Sequence, residues 1–168
     1  KNTYYDYDSG FYVKLTHASR SPKNYILMRA ADALLLYAEA ALEAGKPASE
    51  VKWALEEVRG RARANAADPS TALPAFPYGS YADNTDGLRA ALRHERRVEL
   101  AMEGHRWFDL VRWGIAYDVL DKDNGSYGRS ESAEARAEMG SFIKGKCELM
   151  PIPFEELRLN PMEQNPGY

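Results

Sequence analysis

Apolar residues recur at helical spacing between Ile26 and Gly45. Steps of three and four residues place them on one face of a helix, and the positions on that face are Leu27, Ala30, Ala31, Leu34, Leu35, Ala38, Ala41 and Leu42. Many of them are alanines, which let a neighbouring element approach closely. Gly45 and the following Pro47 are typical of a helix end. The pattern therefore predicts an amphipathic helix that ends at Gly45.

A second apolar stripe of the same kind follows almost at once. Ser49 is a suitable N-cap for a helix whose apolar positions are Val51, Ala54, Leu55, Val58 and Ala62. The short connection GKPAS makes the two helices antiparallel neighbours. We therefore expect residues 25–64 to form a helical hairpin of the tetratricopeptide type, and no second copy recurs at a fixed period.

The segments on either side of the hairpin lack helical periodicity. Residues 1–24 contain the strand-like run Phe11–Leu15 among Gly, Ser and Pro, which predicts a short extended arm. Residues 65–87 are rich in Pro, Gly, Ser and Asp. This composition predicts a long irregular loop on the surface.

The longest predicted helix runs from Leu88 to about Trp113, within the segment 88–114. Asn84, Thr85 or Asp86 is its expected N-cap, since all three side chains accept hydrogen bonds from a first helical turn.

Two further segments complete the chain. Residues 115–150 are a polar insertion with one short helix that ends at Gly140. Residues 151–168 are a C-terminal turn motif whose compact helix begins at Pro153 and ends before Pro161. Together these elements predict a mainly α fold and a single domain over 1–168, in which the hairpin packs on the long third helix.

Composition narrows the functional classes only a little. The chain has 168 residues, enough for one domain, and its net charge of −3 gives no reason to expect a nucleic-acid partner. Its single cysteine, Cys147, excludes an internal disulfide. The apolar run ALLLYA is too short to span a bilayer. The chain begins at Lys1 without a signal peptide or a lipid-attachment cysteine, so we expect a processed or partial chain.

Acids and arginines alternate at helical spacing between Glu95 and Gly114. Residues three apart face each other on a helix, and arginine suits planar, two-pronged pairing with carboxylates. We interpret this group as a structural ion-pair framework made of Glu95, Arg96, Glu99, Glu103, Arg106, Asp109 and Arg112. Gly104 costs a helix about 1 kcal/mol against alanine. A close backbone approach or a local break in the helix would explain it.

Two chemical alternatives for the same stretch are less favoured. A metal site would use His94, Glu95, Glu99, Glu103, His105 and Asp109, but the spacing places no ligand set on one helical face. Acid–base catalysis by Glu95, Glu99 or Glu103 needs an acid with a raised pKa, which neighbouring arginines oppose. We predict no metal, no cofactor and no catalytic residue.

Two loops carry weaker signals. Phe76, Tyr78 and Tyr81 are candidates for stacking on a sugar ring, and the alternative is that they pin the loop to the core. The run from Asp121 to Gly125 hints at a calcium loop, but its glycine and its acids do not fit an EF-hand. We expect a plain turn there.

Taken in order, four sequence blocks resemble the C-terminal part of the SusD/RagB family. They are SGFYVKLTH with NYILMRAADALLLYAEA, EEVRGRARA, HERRVELAMEGHRWFDLVRWG, and LMPIPFEELRLNPMEQNPGY. The third block is the most specific. Any one block would be weak, and their shared order makes the resemblance strong.

The resemblance implies an outer-membrane lipoprotein at the cell surface that binds a glycan, or in some members a peptide. It also implies a TonB-dependent transporter (SusC-like) as partner and no enzymatic activity. Lipid anchoring and most ligand contacts would lie in an upstream region. Two other functions remain open: a helical scaffold that binds only protein, and a hydrolase whose cleft exposes two acids among Glu95, Glu99 and Glu103.

Overall fold

The computed structural model describes residues 3–6, 11–14, 26–67, 73–77 and 81–168. Its elements are strands β1 (Thr3–Asp6) and β2 (Phe11–Lys14) and helices α1 (Ala30–Glu43), α2 (Ala48–Ala64), α3 (Thr85–Glu99), α4 (Arg106–Arg112), α5 (Ala116–Leu120), α6 (Ala133–Glu138) and α7 (Phe154–Leu159). A 3-10 turn at Gly128–Ser130 lies between α5 and α6. The fold is mainly α, as the sequence predicts.

The chain forms two compact units, residues 1–92 and 93–168, with the boundary inside α3. The predicted single domain over 1–168 stays a prediction. None of the helices within the described ranges is long and apolar enough to cross a membrane.

The core of the first unit lies between α1, α2 and the start of α3. Most of the predicted apolar stripe is buried there, and the core residues are Ala31, Leu35, Ala38, Ala41, Leu42, Val51, Ala54, Leu55, Val58, Phe76, Leu88, Ala91 and Leu92. Leu27 is an exception: it precedes α1 and is exposed. The α1–α2 pair confirms the predicted helical hairpin.

Gly45 ends α1 in the way its sequence position predicts. Its φ of +68° is left-handed, and the backbone N–H groups of Gly45 and Lys46 donate to the carbonyls of Leu42 and Ala41. This is a Schellman motif, which favours glycine because a Cβ is strained at that φ. The start of α2 differs from the prediction: Pro47 precedes the first turn and Ser49 lies inside the helix, so Ser49 is not the cap.

Asn84 caps α3. Its Oδ1 accepts a hydrogen bond from the backbone N–H of Gly87 at 2.8 Å, and Thr85 and Asp86 lie in the first turn. Gly87 is required there because a Cβ would collide with the carbonyl of Ala82.

The predicted helix from Leu88 to about Trp113 is instead two helices, α3 and α4. A turn over residues 100–105 separates them, with left-handed backbone at Met102 (φ +68°) and Gly104 (φ +83°). A Cβ on Gly104 would meet nothing within 4 Å. Gly104 is therefore explained by the break in the helix and not by close approach of another backbone.

The N-terminal arm contains more order than the sequence predicts. Strand β2 pairs with β1 in antiparallel register, with Thr3 opposite Lys14 and Asp6 opposite Phe11. A single strand-like run indicates extended backbone, but its hydrogen-bonding partner is set by the fold of the arm.

The predicted short helices at the C-terminal end are present. Ser132 caps α6 by accepting from the backbone N–H of Ala135 at 3.2 Å. Pro153 precedes α7, and the helix ends at Leu159, before Asn160 and Pro161.

Candidate functional site

A buried carboxylate between two arginines is the central polar feature of the second unit. Arg96 Nε donates to Asp109 Oδ2 at 3.0 Å, and Arg112 donates to Oδ1 from Nη2 at 2.9 Å and from Nε at 3.1 Å. The side chains of Arg96 and Asp109 are 2% and 4% exposed. A buried acid is tolerable when its lone pairs are filled in this way. The turn between α3 and α4 brings Arg96 and Asp109 together.

Arginines also surround the indole of Trp113. The guanidinium carbons of Arg93 and Arg112 lie 4.9 and 5.0 Å from the ring centroid, and that of Arg106 lies at 5.9 Å. Cations over an aromatic face are attracted by its quadrupole. Three arginines of this part of the chain therefore neighbour one ring.

The remaining residues of the predicted framework have different surroundings. Glu95 is buried, whereas Glu99, Glu103 and Arg106 are half-buried. Burial of Glu95 is unfavourable for a hydrolytic acid that must reach a substrate. No group of three potential metal ligands occurs among the residues that the structure describes.

The described part of the 65–87 loop is held against α2. Arg59 donates from Nε and Nη2 to the carbonyl of Pro74 at 3.2 and 3.0 Å, and the backbone N–H of Phe76 donates to Glu56 at 2.9 Å. Phe76 is 9% exposed and part of the core, with Lys52 Nζ 5.0 Å from its ring centroid. The loop therefore adds a buried aromatic ring to the first unit.

The three aromatic candidates of this loop differ in placement. Burial of Phe76 supports the pinning alternative, because its ring face is not available to a sugar. Tyr81 is partly buried against the same core. Tyr78 lies outside the described residues. Ligand binding by Tyr78 and Tyr81 stays a prediction.

The hairpin carries an exposed aromatic pair that the sequence analysis missed. Tyr37 on α1 and Trp53 on α2 lie edge to face, with ring centroids 6.2 Å apart, and Trp53 is 54% exposed. The Tyr37 hydroxyl donates to Glu50, which raises the pKa of that hydroxyl. Neither residue belongs to the apolar stripe of its helix. An aromatic residue outside the buried stripe is expected to be exposed, and the sequence could have indicated the pair in this way.

Asp121 organises the turn that hinted at calcium. Its Oδ1 accepts from the backbone N–H groups of Asp123 and Asn124, and its Oδ2 accepts from that of Phe142 at 3.2 Å. The Asn124 backbone bond lowers the pKa of the Asp121 carboxyl most, and desolvation opposes it. A Cβ on Gly125 or Gly128 would collide with backbone atoms of Asp121. Both carboxylate oxygens of Asp121 therefore accept hydrogen bonds from backbone groups, two in the turn and one at Phe142, as is typical of a structural turn.

The C-terminal motif binds the chain to itself. Gln164 accepts from the backbone N–H of Ile152 at 2.7 Å and donates to its carbonyl at 3.0 Å. Asn165 Nδ2 donates to the carbonyl of Met150 at 2.6 Å, and the Tyr168 hydroxyl donates to that of Leu149 at 3.0 Å. These side chains satisfy backbone groups as a neighbouring strand would. The motif is therefore structural.

An open cavity of about 450 Å³ lies in the second unit. Arg97 and Arg106 line it, together with hydroxyl-bearing and aliphatic side chains. Arg97 has no acidic residue three or four positions away, so helical spacing places Arg96 in the predicted framework and leaves Arg97 out.

These features define an α-helical, tetratricopeptide-like protein with a buried acid, Asp109, between Arg96 and Arg112. The SusD family model matches residues 4–168, and the chain belongs to that family. The four blocks singled out in the sequence all lie within the matched range.

Individual relatives of the chain are also SusD-like proteins. The chain is 32% identical to the SusD-like protein P25 of Formosa agariphila over 83% of its length and 23% of that protein. It is 32% identical to P2 of the same organism over 88% of its length and 26% of that protein. A crystal structure of a SusD homolog from Bacteroides thetaiotaomicron is similar with a TM-score of 0.71 and 33% identity, covering 93% of this chain and 29% of that one. The chain spans about a quarter of the length of these relatives.

Proposed function

We propose that this chain is part of a non-catalytic protein of the outer membrane that binds a glycan at the cell surface and delivers it to a TonB-dependent, SusC-like transporter. Membership of the SusD family over residues 4–168 carries the proposal. Proteins of this family are typically lipid-anchored binding proteins that act with such transporters.

The geometry of the second unit supports a binding role over a catalytic one. Asp109 is held by two arginines and Glu95 is buried, so neither acid is placed to react with a substrate. Sugar binding needs exposed aromatic faces and hydroxyl partners, with no covalent step. Trp53 offers an exposed ring, and Tyr81 lies at the edge of the loop.

A glycan panel titrated by calorimetry and tryptophan fluorescence tests the proposal. The full-length protein that contains these residues and the 168-residue chain are compared side by side. We expect at least one glycan to bind the full-length protein. Binding to the shorter chain as well would direct mutation to Tyr81→Ala and Trp53→Ala, with Tyr168→Ala as a control because its hydroxyl is tied to Leu149.

Three results separate the alternatives. Binding only by the full-length protein places the glycan contacts outside these residues. Binding of peptides in place of sugars would support the peptide-binding alternative. Binding of neither, with capture of a transporter, would favour the protein-binding scaffold and refute the glycan proposal.

A further inference from the structure

Two arginines line the cavity of the second unit. Arg97 comes from the end of α3 and Arg106 from the first turn of α4, and both line the cavity. Neither forms a salt bridge with any residue in the described parts of the chain. A pair of like charges beside an open cavity is unfavourable until an anion lies between them.

The surroundings of Arg106 show how incompletely its charge is compensated. Desolvation lowers the pKa of Arg106, the neighbouring charge of Arg97 lowers it further, and Asp109 opposes both. Asp109 is already bonded to Arg96 and Arg112. An additional anion in the cavity would therefore be stabilised by both Arg97 and Arg106.

Tyr127, which lines the cavity, has an acidic partner in Glu131. The Tyr127 hydroxyl hydrogen-bonds with the Glu131 carboxylate, and this bond raises the pKa of the hydroxyl. The partner of Glu131 is therefore a neutral group. Glu131 forms no salt bridge with Arg97 or Arg106.

The other lining residues suit the rest of a sugar. Ser126 supplies a hydroxyl group, and Tyr127 supplies an aromatic ring that is 48% exposed. The Ser130 hydroxyl donates to the carbonyl of Tyr127 at 2.6 Å and can only accept from a ligand. Leu110 and Leu120 supply aliphatic surface. A volume of about 450 Å³ lies in the range of small-molecule sites. The lining thus combines a charged pair, hydroxyl partners and apolar surface.

We propose that this cavity binds an acidic sugar residue, whose carboxylate or sulfate oxygens are held by Arg97 and Arg106. The proposal rests on the proposed function and assigns it a substrate class, glycans that carry anionic groups. Guanidinium groups bind oxyanions through two parallel N–H donors, so two arginines can fill the lone pairs of one such group.

Calorimetric titration of the full-length protein with small probes at low ionic strength tests the assignment. The probes are glucuronate, glucose 6-sulfate, glucose and inorganic sulfate. We expect the two acidic sugars to bind at least about tenfold more tightly than glucose and than sulfate alone. Arg97→Gln removes one charge-assisted pair and should weaken acidic-sugar binding about tenfold.

Two further variants separate a binding role from a structural one. Arg158→Gln makes the same change of charge on α7, where Arg158 pairs with Glu155, and should leave acidic-sugar affinity unchanged. Arg106→Lys keeps the charge beside Trp113 but loses the planar fork. It should weaken glucuronate binding several-fold while the melting temperature stays within a few degrees.

Several outcomes would overturn the assignment. Equal affinity for glucuronate and glucose would refute it, and so would an acidic-sugar affinity that Arg97→Gln does not alter. In either case, binding of another glycan by the full-length protein would leave the proposed function intact. Sulfate binding as tightly as glucose 6-sulfate would indicate a plain anion site and refute the sugar contacts. Failure of every glycan in the panel would refute the proposed function itself.

Discussion

Replacing Asp109 with asparagine should destabilise the protein strongly. The substitution keeps the shape of the side chain but removes the charge that Arg96 and Arg112 share. Arg112 is partly exposed and can turn to water, whereas Arg96 is 2% exposed and cannot. The cost therefore arises mainly because the buried guanidinium of Arg96 loses the negative charge of Asp109.

The distance and burial set the magnitude. At 3.0 Å and an effective dielectric constant of about 20, the attraction between Arg96 and Asp109 is about 5.5 kcal/mol. The desolvation of both groups offsets much of it in the native protein, but the desolvation of Arg96 remains when residue 109 is neutral. Breaking such a pair costs about 3–5 kcal/mol. That is a large part of a typical total stability of about 5–15 kcal/mol.

Urea unfolding followed by circular dichroism and tryptophan fluorescence measures the effect. Asp118→Asn is the matched control, because Asp118 is exposed and lies 3.9 Å from the exposed Lys144. We expect its cost to stay below about 1 kcal/mol. A cost of similar size for Asp109→Asn would refute the view that this carboxylate holds a buried charge in place.

Three more predictions concern single residues. Gly104→Ala should cost about 1–2 kcal/mol, since its φ is +83°, whereas Gly140→Ala, with open space and no left-handed φ, should be nearly neutral in urea unfolding. Gln164→Ala leaves both backbone groups of Ile152 without a partner and should cost about 1–3 kcal/mol, with faster amide exchange at Ile152. The pKa of the Asp121 carboxyl is lowered in the folded protein. The ionised carboxylate therefore stabilises the fold when the pH is above the ordinary carboxyl pKa, and this stabilisation is lost as the pH falls below about 4. Asp121→Asn removes it, so the free energy of unfolding should change less with pH on the acid side.

Each of these has a result that would contradict it. Equal costs for the two glycine variants would mean that backbone conformation does not decide the turn. An unchanged rate of amide exchange at Ile152 would mean that Gln164 does not protect the backbone of that residue. An acid transition of the Asp121 variant that matches the unaltered protein would show that other groups govern the acid limb.

The helical hairpin followed from sequence because its determinants are local. Apolar spacing, the Gly45 signal and a five-residue connection all act within a few turns, so α1 and α2 were predicted with their core residues. Within the hairpin, the differences from the prediction lie at helix ends, where several sequence signals compete. At the start of α2, Pro47 lies ahead of Ser49, and the rigid proline sets the first turn.

The sequence predicts ion pairs between residues three apart, but it does not predict the pair between Arg96 and Asp109. In a continuous helix, Arg96 and Asp109 would be 13 residues and about 20 Å apart, on different faces. Arg97 and Arg106, nine residues apart, would point in opposite directions. The turn at Met102 and Gly104 brings each pair together. Asp109 and Arg112, which are three residues apart, form an ion pair as their spacing predicts.

The sequence by itself determined the mainly α class, the hairpin, the helix-ending glycines and the family. All of these depend on residue type and spacing along the chain. Tertiary structure alone decided which arginine meets Asp109, which loop aromatic is buried, and that Arg97 and Arg106 share a cavity. The physical reason is that a single left-handed turn redirects every residue after it, so contacts across the turn depend on a backbone angle that residue spacing does not encode.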